Sequence, residues 1–272
     1  MKIALTGASG FVGTALQECF EHCIIIDRQD NEEMILQKLE GVDVVINLAG
    51  APIIKRWNDP YKKILLNSRI ESTERLVNAV NKSNISHFIS TSAIGIYPDN
   101  KICDESCTDI ADDFLGELAH KWEEEALLCH KPTSILRFGV ILGKDGGALA
   151  QMLTPFRLGV GGIIGNGKMM TSWIDIEDLI RMYHFVIEKK ITGIFNAVSP
   201  NPVTNYIFTK TLGKVLHRPT ILPIPEFVLG IMYGEASSVL TGSKEVYPQA
   251  IQEKGFVFEY EELEASLKHL LA

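Results

Sequence analysis

Three glycines at a spacing of three carry the first chemical signal in this chain. Gly7, Gly10 and Gly13 lie between a short apolar run, Lys2-Ile3-Ala4-Leu5, and a helix-forming run, Thr14-Ala15-Leu16-Gln17-Glu18. Between a strand and a helix, that spacing builds a cradle for a diphosphate. The first glycine allows the tight turn. The second lets the backbone approach the pyrophosphate, and the third lets the helix pack close to the sheet. The helix start adds unpaired N–H groups and the positive end of the helix dipole. The cradle then comprises Gly7, Ser9, Gly10, Phe11, Val12 and Gly13. A glycine triplet alone is weak; one that follows a strand and opens a helix is much stronger.

An acidic residue is expected after the next strand, where it would hold an adenosine ribose. Cys23-Ile24-Ile25-Ile26 reads as that strand, and Asp27-Arg28 follows it. Asp27 suits a free 2′-hydroxyl and hence NAD, whereas Arg28 suits a 2′-phosphate and hence NADP. The two residues argue in opposite directions, so the sequence implies a nicotinamide dinucleotide, NAD(P), without choosing between its forms. A third strand, Val44 to Leu48, ends in Leu48-Ala49-Gly50, where small residues leave room for a cofactor across the strand ends.

The elements that must position these residues alternate strand and helix for most of the chain, which argues a parallel, doubly wound sheet. Asp59-Pro60 reads as the start of one helix running to about Val80. Ser86–Ser92 reads as the fourth strand, and Asp112 as the cap of a helix to about Leu128 carrying Phe114, Leu118, Trp122 and Ala126 on one stripe. Thr133–Phe138 is the fifth strand, the 143–167 segment is glycine-rich, Asp175 precedes a helix to about Ile187, and Gly193–Val198 is the sixth strand. From Pro200 onward prolines and short helical stretches dominate. The expected fold class is therefore α/β: a Rossmann-type domain over residues 1–200, including substrate-side loops at about 143–172, and a small C-terminal substrate-side module over 201–272.

Composition narrows the class. Hydrophobic content of 46% and charged content of 22% suit a globular protein with a real core. A net charge of −8 with no basic run gives no support to nucleic-acid binding. No stretch approaches the ~20 apolar residues of a membrane span, and the first strand begins too early for a signal peptide. The five cysteines are odd in number and form no C-x-x-C pair, so reduced thiols in a cytoplasm are expected. The histidines show no metal spacing. Neither a G-x-S-x-G elbow nor a phosphate-binding G-x-x-x-x-G-K-[ST] loop is present.

Together, Thr6–Gly13, the Asn47-Leu48-Ala49-Gly50 strand end and the Ser90-Thr91-Ser92 strand end resemble those of an extended short-chain dehydrogenase/reductase. The chain is more specifically similar to its atypical epimerase-family, sugar-nucleotide-epimerase-like branch. Supporting segments run along nearly the whole chain: Ser68-Arg69 with Ser72-Thr73, Asp112-Asp113-Phe114-Leu115, Arg137-Phe138-Gly139-Val140, Trp173-Ile174-Asp175 and Gly255-Phe256. The tail from about Pro219 resembles the small C-terminal module of that branch. The resemblance implies NAD(P)-dependent oxidoreductase or epimerase chemistry on a small polar substrate such as a nucleotide sugar. Some relatives carry a cell-division label, which keeps a second reading open: a cofactor-sensing binding protein without catalysis.

In that superfamily a Tyr and a Lys one helical turn apart transfer protons, the ammonium lowering the phenol pKa, while a strand-end Ser or Thr orients the substrate. Ser92 matches the strand position. At the helix where the pair belongs stands Asp112-Asp113-Phe114-Leu115-Gly116-Glu117-Leu118-Ala119, with neither Tyr nor Lys. The literal Tyr97-x-x-x-Lys101 contains Pro98 and Asp99-Asn100, which is turn chemistry, and without a helix the spacing of four does not join the two side chains. The candidate catalytic residues are therefore Ser92, Tyr97 and Asp113. Glu117 is equally explained as a surface partner of Lys121. Arg69, expected within a helix beside Thr73, could grip a phosphate or carboxylate. Arg137, Lys168 and Trp173 are the substrate-side candidates, and Asp175 reads as an N-cap. Substrate identity and oligomeric state have no signal.

Overall fold

The computed structural model describes residues 1–272. Six strands form one parallel sheet: β1 (Ile3–Thr6), β2 (Cys23–Ile26), β3 (Val44–Asn47), β4 (His87–Ala93), β5 (Thr133–Phe138) and β6 (Gly193–Ala197). Their spatial order is β6-β5-β4-β3-β1-β2. The chain steps outward from β1 to β2, then returns past β1 to β3 and proceeds the other way. That reversal opens a crevice outside the carboxyl ends of β1 and β3, the place where ligands bind in such sheets.

The strands are apolar because both faces are covered. All four residues of β1 and all four of β3 are buried. One face packs on α1 (Phe11–Cys19) and the long helix Ile176–Lys189, through Leu16, Leu179, Met182 and Val186. The other packs on α2 (Glu32–Lys38), α4 (Ile70–Lys82) and α5 (Phe114–Leu127), through Ile35, Leu76, Val80 and Ala126. Connecting helices on both faces are what parallel pairing requires.

Several local expectations are corrected. The helix expected from Asp59 to Val80 is two: α3 (Asp59–Asn67), capped by Asn58 and not by Asp59, and α4. Ser68 and Arg69 form the break. The Ser68 hydroxyl accepts the Ala51 N–H at 3.0 Å and Arg69 Nη2 donates to Ala51 O at 3.0 Å, so the loop after β3 pins the break. Asp113, not Asp112, caps α5, accepting the Gly116 N–H at 2.8 Å. A Cβ at Gly116 would collide with Ala111, so glycine is needed at this close approach.

Residues 201–272 contribute to the same apolar clusters as the rest of the chain. Ile251, Phe256 and Phe258 belong to the main core, while Leu263, Leu267 and Leu270 join Trp173, Phe208 and Leu212 in another cluster. Asp178, in the first turn of the Ile176–Lys189 helix, accepts the backbone N–H groups of Glu259 and Tyr260. Asp175, the N-cap of that helix, accepts the Ser266 hydroxyl at 2.5 Å. The tail is thus held by carboxylates that also start a Rossmann helix. No helix is long and apolar enough to cross a membrane.

Candidate functional site

The glycine turn and the β3 end are built against each other. Gly7 has φ +66°, and a Cβ there would lie 2.6 Å from Leu48 O, so only glycine serves. The Thr6 hydroxyl accepts the N–H groups of Leu48 and Ala49 at 3.0 and 3.1 Å and donates to Asn47 Oδ1. Asn47 in turn donates to Thr73, which also accepts the Trp122 indole N–H. Thr73 is fully buried as the hub of this network. A Cβ at Gly13 would collide with Gly7 O, which accounts for the third glycine. No side chain caps α1, whose N-cap is Gly10; its first-turn N–H groups are left for an anion.

A cleft of about 930 Å³ runs over this turn. Gly7 and Ser9 line it from β1, Asp27 and Arg28 from β2, Gly50 and Ala51 from β3, and Ser68, Ser72 and Arg75 from the α3–α4 corner. Leu48 and Ala49 shape the β3 side without lining the cleft. Val12 is buried beneath the turn. The Phe11 ring is directed away from the cleft, into a seat formed by Gly143, Gly146 and Gly147, where any Cβ would strike it. The glycine-rich stretch after β5 is therefore the complement of Phe11.

The far end of the cleft sets Arg28 and Arg75 beside the carboxylates of Asp27 and Glu71. Arg75 Nη2 donates to Arg28 O at 3.2 Å, and Arg75 Nε is buried without a partner. The Asp27 carboxylate meets Lys38 Nζ at 3.2 Å, and Lys38 also pairs with buried Asp30 at 2.5 Å. The Asp30 carboxylate accepts the Asp27 N–H at 2.6 Å. Burial opposes ionisation of Asp30, but Lys38, the Asp27 N–H and Arg75 together outweigh it and hold the carboxyl below its usual range. Sequence reasoning missed Lys38, Asp30 and Arg75, which lie on helices and loops with nothing local to distinguish them from solvated charges.

Arg69 is not a helix-face residue but sits in the α3–α4 break. Its guanidinium stacks on Trp122 at 5.2 Å, lies behind Gly50, and bonds only to Ala51 O, Leu65 O and the Ser68 hydroxyl. Burial without a carboxylate partner lowers its pKa to about 10.

The β4–β5 end is a closed polar network. Arg137 and Glu123 form a bidentate pair, Nε–Oε1 and Nη2–Oε2 both 2.7 Å, and both are nearly sealed from solvent. Ser92 donates to Glu123 Oε1 at 2.6 Å. Arg137 Nη1 donates to the Tyr97 hydroxyl at 2.6 Å, and that hydroxyl donates to Asn196 Oδ1 at 2.9 Å. Asn196 N–H continues to Glu105 at 2.7 Å. Burial, opposed by Arg137, pushes the Tyr97 phenol up to about 12. Ser92 and Tyr97 are brought together here, but each is 1% exposed and committed to a partner.

The remaining expected site residues lie elsewhere. Asp113 spends its carboxylate on the α5 cap. Phe114 and Leu118 pack with Trp57, Leu65 and Ala236. Arg137 is held by Glu123 and by the Tyr97 hydroxyl. Trp173 is fully buried, its indole N–H on Asn201 O at 3.0 Å, which corrects its substrate-side assignment. Lys168 is exposed and outside the cleft. Lys101 pairs with Asp109 on the surface, away from Tyr97. A signal for Glu123 did exist: an arginine inside the apolar strand Ser134-Ile135-Leu136-Arg137-Phe138 demands a buried acid.

Comparison with known proteins agrees with this geometry. Residues 3–113 match the NAD dependent epimerase/dehydratase family, and residues 224–270 match a domain of unknown function, DUF1731. The chain is 35% identical to epimerase family protein YfhF of Bacillus subtilis, covering 100% of this chain and 98% of that protein. It is 32% identical to epimerase family protein SDR39U1 of Homo sapiens, covering 100% of both. The crystal structure of human SDR39U1 (isoform 2) with NADPH superimposes with a TM-score of 0.93 at 31% identity, over 99% of each chain. The cradle, the reversed sheet and the whole-length likeness converge: the chain belongs to the NAD(P)-dependent epimerase/dehydratase family, in the epimerase family group that carries the DUF1731 C-terminal domain.

Proposed function

We propose that this chain binds NADP(H), holding the adenosine and diphosphate portions in the open cleft, and that it lacks the superfamily's Tyr/Lys proton relay. The carrying observation is the two arginines at the far end of the cleft. Arg28 and Arg75 adjoin there, Arg75 Nε is an orphaned buried donor, and Lys38 engages Asp27. A 2′-phosphate matches that donor set; a free ribose hydroxyl would leave the arginines unanswered. The human relative's structure with NADPH supports the same choice. Bound dinucleotide would supply hydride chemistry, while the chain's own residues bind and orient it.

Ser92, Tyr97 and Asp113 act as structural groups in this reading, because each is saturated by protein partners. A second reading keeps turnover of a small anionic substrate, with residues 201–272 on the substrate side. Its support is Arg69, a half-buried cation beside the β3 end with no carboxylate partner. Calorimetric titration with NADPH and NADH, followed by assay of hydride loss from NADPH with candidate nucleotide sugars, separates the readings. Micromolar NADPH affinity with NADH at least ~10-fold weaker, equivalent to ~1.4 kcal/mol, is expected. Equal affinities, or NADH the tighter, would overturn the NADP assignment, and substrate-dependent hydride loss would establish the second reading.

A further inference from the structure

Of the five cysteines, Cys19, Cys23 and Cys129 stand apart, but Cys103 and Cys107 converge. Their sulfur atoms lie 2.7 Å apart. The backbone brings them together. Cys103 ends the short strand Ile102–Cys103, which pairs in parallel with Glu245–Val246 of the C-terminal segment. The chain then turns: Cys107 N–H donates to Asp104 O at 3.1 Å, and the Asp104 carboxylate accepts the Ser106 N–H at 2.8 Å. Cys103 is 2% exposed, whereas Cys107 is partly exposed. Burial pushes the Cys103 thiol up to about 12, so it remains protonated while Cys107 faces solvent. Neither sulfur lines the dinucleotide cleft.

We propose that Cys103 and Cys107 form an oxidation site for hydroperoxides, with Cys107 as the attacking sulfur and Cys103 as the resolving one. The Cys107 thiolate attacks the terminal peroxide oxygen. The S–O bond forms, the O–O bond breaks, and the alkoxide or hydroxide leaves and takes up a proton. Cys107 is then a sulfenic acid. The Cys103 sulfur attacks the Cys107 sulfur; the S–S bond forms, the S–O bond breaks, and water departs with the Cys103 proton. Two electrons pass from the two thiols to the peroxide. Closing the pair from 2.7 Å to the ~2.05 Å of a disulfide needs only a small side-chain movement. The ring so formed encloses Glu105, whose carboxylate accepts the N–H groups of Asn196 and Ala250 and so ties β6 to the C-terminal segment.

The test uses the reduced, full-length protein exposed to hydrogen peroxide, then alkylated and digested with trypsin. Both cysteines fall in one peptide, Ile102–Lys121, with no internal Lys or Arg. That peptide should lose two hydrogens, regain them with dithiothreitol, and the thiol count should fall from five to three, two being consumed. Cys103→Ser should stop at a sulfenic acid on Cys107 that dimedone captures. Cys107→Ser should leave Cys103 reduced. An unchanged 102–121 peptide while the exposed Cys19 is oxidised would overturn the proposal. So would sulfinic acid at Cys107 of the unsubstituted protein without a disulfide. The unsubstituted protein decides the matter even if a variant fails to fold, and the outcome is independent of dinucleotide affinity.

Discussion

The two ends of this sheet's carboxyl edge are built from similar residues to opposite effect. At β1–β3 the polar groups stay available: uncapped helix N–H groups, exposed Ser9 and the Arg28–Arg75 pair border an open cleft. At β4–β5 a serine, a tyrosine, an arginine and a glutamate spend their hydrogen-bonding capacity on each other. The difference lies in partner supply. Arg137 has a buried carboxylate at 2.7 Å, whereas Arg75 hydrogen-bonds only to a carbonyl and leaves Nε without a partner. A buried charge with its partner present is structure; a charged group without one is poised for a ligand.

That contrast can be broken at its strongest point first. Glu123→Ala should leave Arg137 buried and unpaired, costing about 3–5 kcal/mol in urea unfolding. Glu123→Leu combined with Arg137→Met should restore much of that loss, because an apolar pair carries no desolvation cost. A single-variant loss under about 1 kcal/mol would mean the network is not sealed.

Gly10→Val tests the open end. A Cβ at residue 10 meets only Gly7 O, at 3.2 Å, so the fold should stand. The branched side chain should occupy the diphosphate's place and weaken NADPH binding by about 100-fold, or ~2.7 kcal/mol, measured by calorimetry. Tyr97→Phe makes the opposite prediction. Stability should drop by about 1–3 kcal/mol as Arg137 and Asn196 each lose a partner, with NADPH affinity unchanged. A large drop in affinity would return Tyr97 to the binding site.

Arg75→Ala sharpens the cofactor choice. NADPH affinity should fall by about 10-fold, near 1.4 kcal/mol, with NADH affinity held constant. The smallest expected effect is a pH dependence. Burial raises the Asp175 pKa to about 6 from 3.8, so the folded state keeps that proton between those values and the unfolded state does not. The resulting stabilisation is complete below the unfolded value and is lost as pH rises through about 6. Asp175→Asn can keep the Glu177 cap and the Ser266 bond, and it does not titrate. The unfolding free energy of the unsubstituted protein relative to the variant should therefore decline from pH 4 to pH 7.

Much of the fold was legible because it rests on local rules. The glycine spacing, the apolar strands and the Asp175 cap all follow from residues near in sequence. Less legible were features with long-range causes. The break at Ser68–Arg69 depends on the Ala51 backbone, to which no local signal points. The packing of Ile251, Phe256 and Phe258 into the main core is likewise a contact between residues far apart in sequence.

By itself, the sequence determined the dinucleotide cradle, the alternation of strand and helix and the absence of a Tyr/Lys pair, because backbone geometry at Gly7 and residue identity at 112–119 are local properties. Only the tertiary structure decided which polar groups are free. Ser92 and Glu123 are 31 residues apart, and Tyr97 and Asn196 are 99. Whether a hydroxyl is a reagent or a structural bond depends on what the fold places within hydrogen-bonding reach of it, and that distance is set by packing across the sheet.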